Sequence, residues 1–398
     1  MNIIFVTSLY SNENFNKLLQ SNTVKDGYQS QKFYHLLLEG LSQISDCNIT
    51  VISEANKLDQ RRIVRRFEEV DNNIKIIHPG MIKFPLLKHL SFYYNTKRVL
   101  KELLCEDTII LGGYTGGVMS FATLDIARKY NTKAVNLILD VIGHMSGAYN
   151  EAYDHGLKGK FIKYIDNKTI AYRSKYDGYI LLAEAMNEIV NPLGKQHIVV
   201  EGFSDQKMIN IHNDINNKNN PKVVMYAGSL HRQYGVMLLV EAFIKCNLCG
   251  WELHLYGRGN CEEELKQISQ DNISIKYKGV LPNEEIVDAQ TKATLLVNPR
   301  PTNEDFVKLS FPSKTIECMA SGTPLLTTRI PSMPKDYYDY VYFIENETVE
   351  GISSKLNEIT SLQPEELHKK GELAKSFIIE TRSNIKMSER IYSFLAQL

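Results

Sequence analysis

The stretch Asn298-Pro-Arg-Pro-Thr-Asn-Glu-Asp-Phe-Val-Lys-Leu-Ser-Phe-Pro-Ser-Lys-Thr-Ile-Glu-Cys-Met-Ala-Ser-Gly-Thr-Pro-Leu-Leu326 decides the fold of this chain. The apolar run Leu295, Leu296 and Val297 stops at Asn298-Pro299, which marks a strand end. Pro312 and Ser313 then open a helix, Pro preset for the first turn and Ser able to cap free amides. Gly322 closes that helix as a left-handed cap, and Thr323-Pro324 starts the next strand. The helix N-terminus is thus expected at the carboxyl edge of a parallel sheet, where free N–H groups and the helix dipole attract phosphate. Glu317, one turn in, faces the same crevice and can accept from ribose hydroxyls. For the helix alone, an ordinary α/β crossover with a surface Glu is the plainer alternative.

Outward from this segment, strands and helices alternate along the whole chain. Before residue 200 they run Asn2–Ser8, a helix near Gln29–Ser45, Asn48–Ser53, Ile74–His78, Thr108–Leu111, Ala134–Asp140 and Gly178–Leu182. The alternation restarts with Lys222–Ala227, a helix Val236–Lys245, Glu252–Tyr256, Ile273–Lys278, Thr294–Val297, Pro324–Thr328 and Val341–Phe343. Such alternation argues for parallel sheets with helices on both faces. The expected division is a domain over 1–204, a polar, Asn-rich connector over 205–221, a second domain over 222–370 and one long closing helix over 371–398. A length of 398 residues exceeds what one core usually supports, which fits two domains.

Glu317-Cys-Met-Ala-Ser-Gly-Thr-Pro-Leu-Leu resembles the "E-A-M-A-x-G-x-P-V-V" signature of family 4 glycosyltransferases, retaining enzymes of the GT-B fold. Ser310-Phe-Pro-Ser-Lys is similar to the branch found in bacterial capsule, O-antigen and exopolysaccharide clusters. The resemblance implies an α/β protein of two Rossmann-like, doubly wound domains facing a cleft, with the final helix returning to the first domain. It also implies that Glu317 holds the donor ribose and that the Ser313–Thr315 amides hold its diphosphate. Glu201-Gly-Phe-Ser-Asp205 resembles the family's hinge. The family's other Glu falls at Leu309 here, and its Arg and Lys fall at Ser229 and Tyr234.

The second half carries the donor candidates. Tyr226-Ala-Gly-Ser-Leu-His-Arg-Gln-Tyr-Gly235 reads as strand, turn and helix start, where Gly228 lets backbone approach a diphosphate. A mere tight turn fits this pattern about as well. Arg232 and Lys314 are the cations expected to neutralise the leaving diphosphate, with Lys308 as a further candidate. Gly257, in Tyr256-Gly-Arg-Gly, and Val280 and Leu281, in Lys278-Gly-Val-Leu-Pro282, resemble the family's donor loop and base-reading segment.

The first half would hold the acceptor, through Gln29, Lys32, Tyr114 and His144. Tyr114 belongs to Gly112-Gly-Tyr-Thr-Gly-Gly117, whose glycines point to a loop at the site rather than a plain connector. Asp140 ends its strand where relatives often place a His, and is the remaining catalytic candidate; capping of the next turn is the alternative.

Composition narrows the partners. Lys+Arg 46 against Asp+Glu 46 gives no global field for nucleic acid. Six scattered cysteines suit a reducing cytoplasm, and the lone pair Cys246 and Cys249 lacks a second pair for zinc. No D-x-D or D-x-H occurs, so no metal or other cofactor is expected beyond the nucleotide-sugar itself. No apolar run of membrane-spanning length appears, and Met1–Val6 enters a strand without a signal-peptide layout. Ile82–Leu100 interleaves basic, aromatic and aliphatic residues, and Arg61, Arg62, Arg65 and Arg66 are read as a second basic cluster on a helical stretch. Such segments suit an anionic membrane surface, here the inner face of the plasma membrane, or else a buried helix with snorkelling cations. The expected function is retaining, metal-independent glycosyl transfer from a nucleotide-sugar to a glycan or lipid-linked acceptor. By resemblance, donor phosphate oxygen would assist deprotonation of the acceptor in a front-face attack. A non-catalytic GT-B protein that binds glycan or supports a partner transferase is the alternative.

Overall fold

In the strand Lys222–Ala227, side chains alternate between two cores. Val224 and Tyr226 pack with Leu253, Leu295 and Val297 on one face, while Val223 and Met225 pack with Leu296, Leu325 and Phe343 on the other. A strand buried on both faces needs a continuous apolar run, which is what the sequence supplies. Each such Leu, Ile or Phe contributes roughly 1.5–3 kcal/mol by leaving water.

The protein is described by a computed structural model covering residues 1–20, 28–54, 58, 61–84, 87–113, 117–139, 172 and 174–398. Strands are β1 Asn2–Thr7, β2 Asn48–Ser53, β3 Ile63–Val64, β4 Phe67–Asp71, β5 Ile74–His78, β6 Met81–Ile82, β7 Thr108–Gly113, β8 Lys133–Ile138, β9 Gly178–Leu181 and β10 Gln196–Val199. They continue as β11 Lys222–Ala227, β12 Trp251–Tyr256, β13 Ile275–Gly279, β14 Leu295–Asn298, β15 Leu325–Thr328 and β16 Tyr342–Ile344. The chain forms two units, Met1–Glu201 with Asn384–Leu398, and Gly202–Ser383.

The first unit holds a sheet in the order β10-β9-β8-β7-β1-β2-β5-β4, parallel except for the β4 edge, and a separate antiparallel pair β3-β6. The register sets Ile4 between Thr50 and Ile110. The helix Asn384–Ala396 lies on the helix Tyr28–Ser42. Asn384 Nδ2 donates to Leu36 O at 3.2 Å and Ser388 Oγ to Leu37 O at 3.2 Å. Gly40 permits this approach, since a Cβ there would stand 2.3 Å from Ser388 Oγ.

The second unit holds the all-parallel sheet β13-β12-β11-β14-β15-β16. One face carries the helices Val236–Cys246, Glu262–Asp271 and Val349–Thr360, and the other the helices Ser313–Ala320 and Pro364–Arg382. Both units are Rossmann-like α/β layers.

Three expectations are corrected. The closing helix over 371–398 is two helices, Pro364–Arg382 and Asn384–Ala396, parted at Ser383, whose ψ of 154° is extended. The connector over 205–221 is not a solvated strap. Lys218 Nζ donates to Asn213 Oδ1 and to Thr291 O, both at 2.7 Å, and Asn213 Nδ2 donates to Thr323 Oγ1 at 2.9 Å, which binds the segment into the second unit. Arg61, Arg62, Arg65 and Arg66 flank the short strand β3 and lie on no helix, because the chain there turns into an antiparallel edge.

Candidate functional site

All strands of the second unit's sheet run the same way, so the loops after β11, β12 and β14 leave from one edge. Two of them are laced together. Gly228 N–H donates to Tyr256 O at 3.0 Å, Leu230 N–H to Arg258 O at 2.8 Å and Cys261 N–H to Leu230 O at 3.0 Å. The lacing requires glycine at 257: φ is +132°, and a Cβ would fall 1.8 Å from Gly228 O. The Tyr226 hydroxyl donates to Ser229 O at 2.8 Å, fixing the turn from below. The loop after β11 also meets the loop after β14. Gly235 has φ +78°, and a Cβ on it would lie 2.1 Å from Pro299 O.

The helix Ser313–Ala320 begins beside the same edge. Pro312 takes the cap position and no side chain caps the first turn, so Ser313 is the first helical residue rather than the cap the sequence suggested. Thr315 N–H turns back to Pro312 O at 2.9 Å, and its hydroxyl accepts from Asn298 Nδ2 at 3.2 Å. Thr315 is fully buried and anchors the helix to the end of β14, which leaves the amides of Ser313 and Lys314 as those aimed outward by helix geometry. Lys314 Nζ donates to Glu317 Oε2 at 2.6 Å. Gly322 ends the helix at φ +78°.

The structure distributes the other expected residues as follows. Arg232 is exposed and donates to Glu264 Oε2 at 2.5 Å, so it forms a surface ion pair at the loop's outer side. Val280 is 53% exposed after β13, and Leu281 packs partly against the core under the helix Ser313–Ala320. Lys308 is exposed in the short 3-10 turn Asp305–Leu309, and Leu309 is buried. Lys32 is half-buried on the helix Tyr28–Ser42 of the first unit. Tyr114, Asp140, His144 and the side chain of Gln29 lie outside the described residues.

One residue was missed. Arg300, between Pro299 and Pro301 just past β14, is half-buried, with its guanidinium 5.4 Å from the centre of the Tyr234 ring and Nη2 donating to Ser310 Oγ at 3.1 Å. Burial holds its pKa below the usual Arg value. The signal was available: a cation at the carboxyl end of a buried strand, with its backbone fixed by two prolines.

Among the described residues, no group of three or more His, Cys, Asp or Glu is arranged to hold a metal ion. None of their helices is long and apolar enough to cross a membrane. In the first unit, the helix Leu87–Leu103 buries Phe92, Thr96, Val99 and Leu100, and presents Leu87, Leu90 and Tyr94 at 49%, 53% and 63% exposure. That spacing puts the three on one face. Lys97 donates to Asp125 Oδ2 at 3.3 Å and Arg98 lies 3.7 Å from Glu102, so these two cations are engaged within the unit.

Residues 221–361 match the model of the family described as glycosyl transferases group 1. No curated protein sequence matches the chain. Several solved structures share its fold over nearly all of both chains. A glycosyltransferase from Rickettsia africae has a TM-score of 0.67 at 13% identity, covering 100% of this chain and 98% of its own. Sucrose-phosphate synthase from Thermosynechococcus elongatus gives 0.66 at 12%, covering 100% and 98%. Anabaena HepE in complex with UDP gives 0.64 at 12%, covering 100% of each. The fold is therefore of the GT-B type, with two Rossmann-like α/β units.

Proposed function

We propose that this protein transfers a sugar from a nucleotide-sugar donor, UDP-linked by preference, to a glycan or lipid-linked saccharide during bacterial surface polysaccharide synthesis. The observation that carries the reading is the start of the helix Ser313–Ala320, with Glu317 one turn in, beside two glycine-laced strand-end loops. Amides at a helix N-terminus suit a diphosphate, and a carboxylate one turn on suits ribose hydroxyls. The family match over the same unit supports it, as does the likeness to a structure holding UDP.

The chemistry we infer is retention of configuration without a metal. Helix amides and nearby cations would meet the charge that develops on the leaving diphosphate. Glu317, Ser313 and Lys314 would hold the donor, with Gly228, Gly257, Val280 and Leu281 along its length. Asp140 would take part in catalysis, and Gln29, Lys32, Tyr114 and His144 would serve the acceptor side. The exposed face of the helix Leu87–Leu103 would rest on the inner surface of the plasma membrane.

Incubating the pure protein with a panel of nucleotide-sugars, with and without EDTA, tests this. Slow release of free sugar with its anomeric configuration kept, undiminished by chelator, is the expected result. Binding without any turnover, on donors alone or with saccharide acceptors, would instead favour a non-catalytic glycan-binding or partner subunit. Leu309 favours that second reading, since an apolar, buried side chain stands where the resemblance calls for an acid.

A further inference from the structure

We infer that Arg300 is the residue that binds the diphosphate of the donor, a reading that rests on the proposed donor site in this unit. The loop after β11, the end of β15 and a later part of its own loop converge on it. Pro299 touches Gly235 at the end of the loop after β11, and Pro301 Cδ would lie 3.3 Å from a Cβ there. Ser310, which accepts from Arg300 Nη2 at 3.1 Å, begins the Ser310-Phe-Pro-Ser approach to the helix Ser313–Ala320. The Arg300 carbonyl accepts from the Thr328 hydroxyl at the end of β15, so its backbone is held by the neighbouring strand. The guanidinium is thereby fixed at the sheet's carboxyl edge, among the same loops that bring glycine backbone and helix amides outward.

Arg300 acts beside Lys314, which stays within a ligand's reach, rather than in its place. Arg232 turns to Glu264 at the surface, and Lys314 lies against Glu317 on its own helix. The phenols of Tyr234 and Tyr226 lie close enough to act on the Arg300 charge. A charge held partly out of water beside phenols gains more from an arriving anion than a solvated one does. The planar fork also suits two phosphate oxygens at once, and the Tyr234 face keeps it oriented.

The test is calorimetric titration of the full chain with UDP, GDP and ADP, each beside its nucleoside, and with inorganic pyrophosphate. Wild type is compared with Arg300→Met and Arg300→Gln, with thermal melting as the control on folding. For the preferred diphosphate, both variants should bind roughly 10- to 100-fold more weakly, the value of a lost charge-assisted contact. The nucleoside should bind as in wild type. Wild-type diphosphate affinity in either well-folded variant overturns the assignment. So does equal loss of nucleoside and diphosphate, which would mark a merely structural role. If wild type takes pyrophosphate through Arg300 but no nucleotide, the anion site stands and the donor reading falls. If wild type binds none of these ligands, both fall.

Discussion

Lys314 and Glu317 face each other across one turn of the same helix, with Nζ 2.6 Å from Oε2. Their side chains keep 34% and 21% of their exposure, so a ligand can reach both. The two side chains hold one another until something replaces the contact.

Glu317→Gln should weaken binding of nucleoside diphosphate by about 1–3 kcal/mol, because a charge-assisted bond to a hydroxyl becomes a neutral one. Calorimetry reads this directly. An affinity unchanged from wild type would remove Glu317 from the donor site.

Lys314→Ala and Arg232→Ala should part company. The first should lower turnover more than it weakens donor binding, since leaving-group charge peaks in the transition state. The second removes an exposed pair to Glu264, of the kind worth roughly 0–1 kcal/mol, and should leave turnover near wild type. Initial rates at saturating donor separate the two; a large rate loss in Arg232→Ala would return that residue to the site.

Burial pushes the Lys218 ammonium down from 10.5 to about 8. Its folded pKa lies below its unfolded one, so between those values the unfolded chain binds the extra proton and stability rises with pH. The gain should be on the order of 2–3 kcal/mol between pH 8 and 10, with Lys370 and Lys375 acting in the same direction. The thiols of Cys47, Cys246, Cys261 and Cys318, raised by burial, oppose this gain above about pH 9, and Tyr226 does so above about pH 10. In urea melts across this window, wild type should gain stability relative to Lys218→Met as pH rises; parallel curves would refute the assignment.

The exposed Leu87, Leu90 and Tyr94 face should carry any attachment to anionic vesicles. Replacing these three with Ser should release the protein from sedimenting vesicles and spare nucleotide binding. Added salt should weaken whatever part of the attachment is electrostatic, since exposed charges act only within about 10 Å at 0.1 M ionic strength. Wild-type protein that ignores such vesicles would end the membrane role.

Much of this architecture could be read from the residues. Asn48–Ser53, Ile74–His78 and Lys222–Ala227 stand where the sequence placed them, because the buried part of each is rich in Val, Ile or Met. β4 escaped notice for the opposite reason. Phe67-Glu-Glu-Val-Asp71 lies at an edge with Val70 70% exposed, and its acids serve neighbours: Glu69 takes His78 at 2.7 Å and Asp71 takes the Asn12 amide at 3.0 Å. The break at Ser383 has neither Gly nor Pro to announce it. At the site, the glycines and Glu317 stood out by spacing, whereas the partners of Arg232 and Lys314 depend on rotamers and on a helix thirty residues away. Arg300 was overlooked because its surroundings depend on the loop that Gly235 brings against its neighbouring prolines.

The helix Asn384–Ala396, seated on Tyr28–Ser42, has a consequence for the order in which the molecule is made. The first unit's sheet leaves the ribosome early, yet the surface around Gly40 is covered by a helix made only after the whole second unit. Between the two comes the whole of the second unit, uninterrupted in sequence and able to close while still tethered. At 5–20 residues per second the early unit waits roughly 10–40 s with that helix face open. Nascent chains stalled before residue 384 should therefore expose the face to chaperones or hydrophobic dyes, while the second unit is already made.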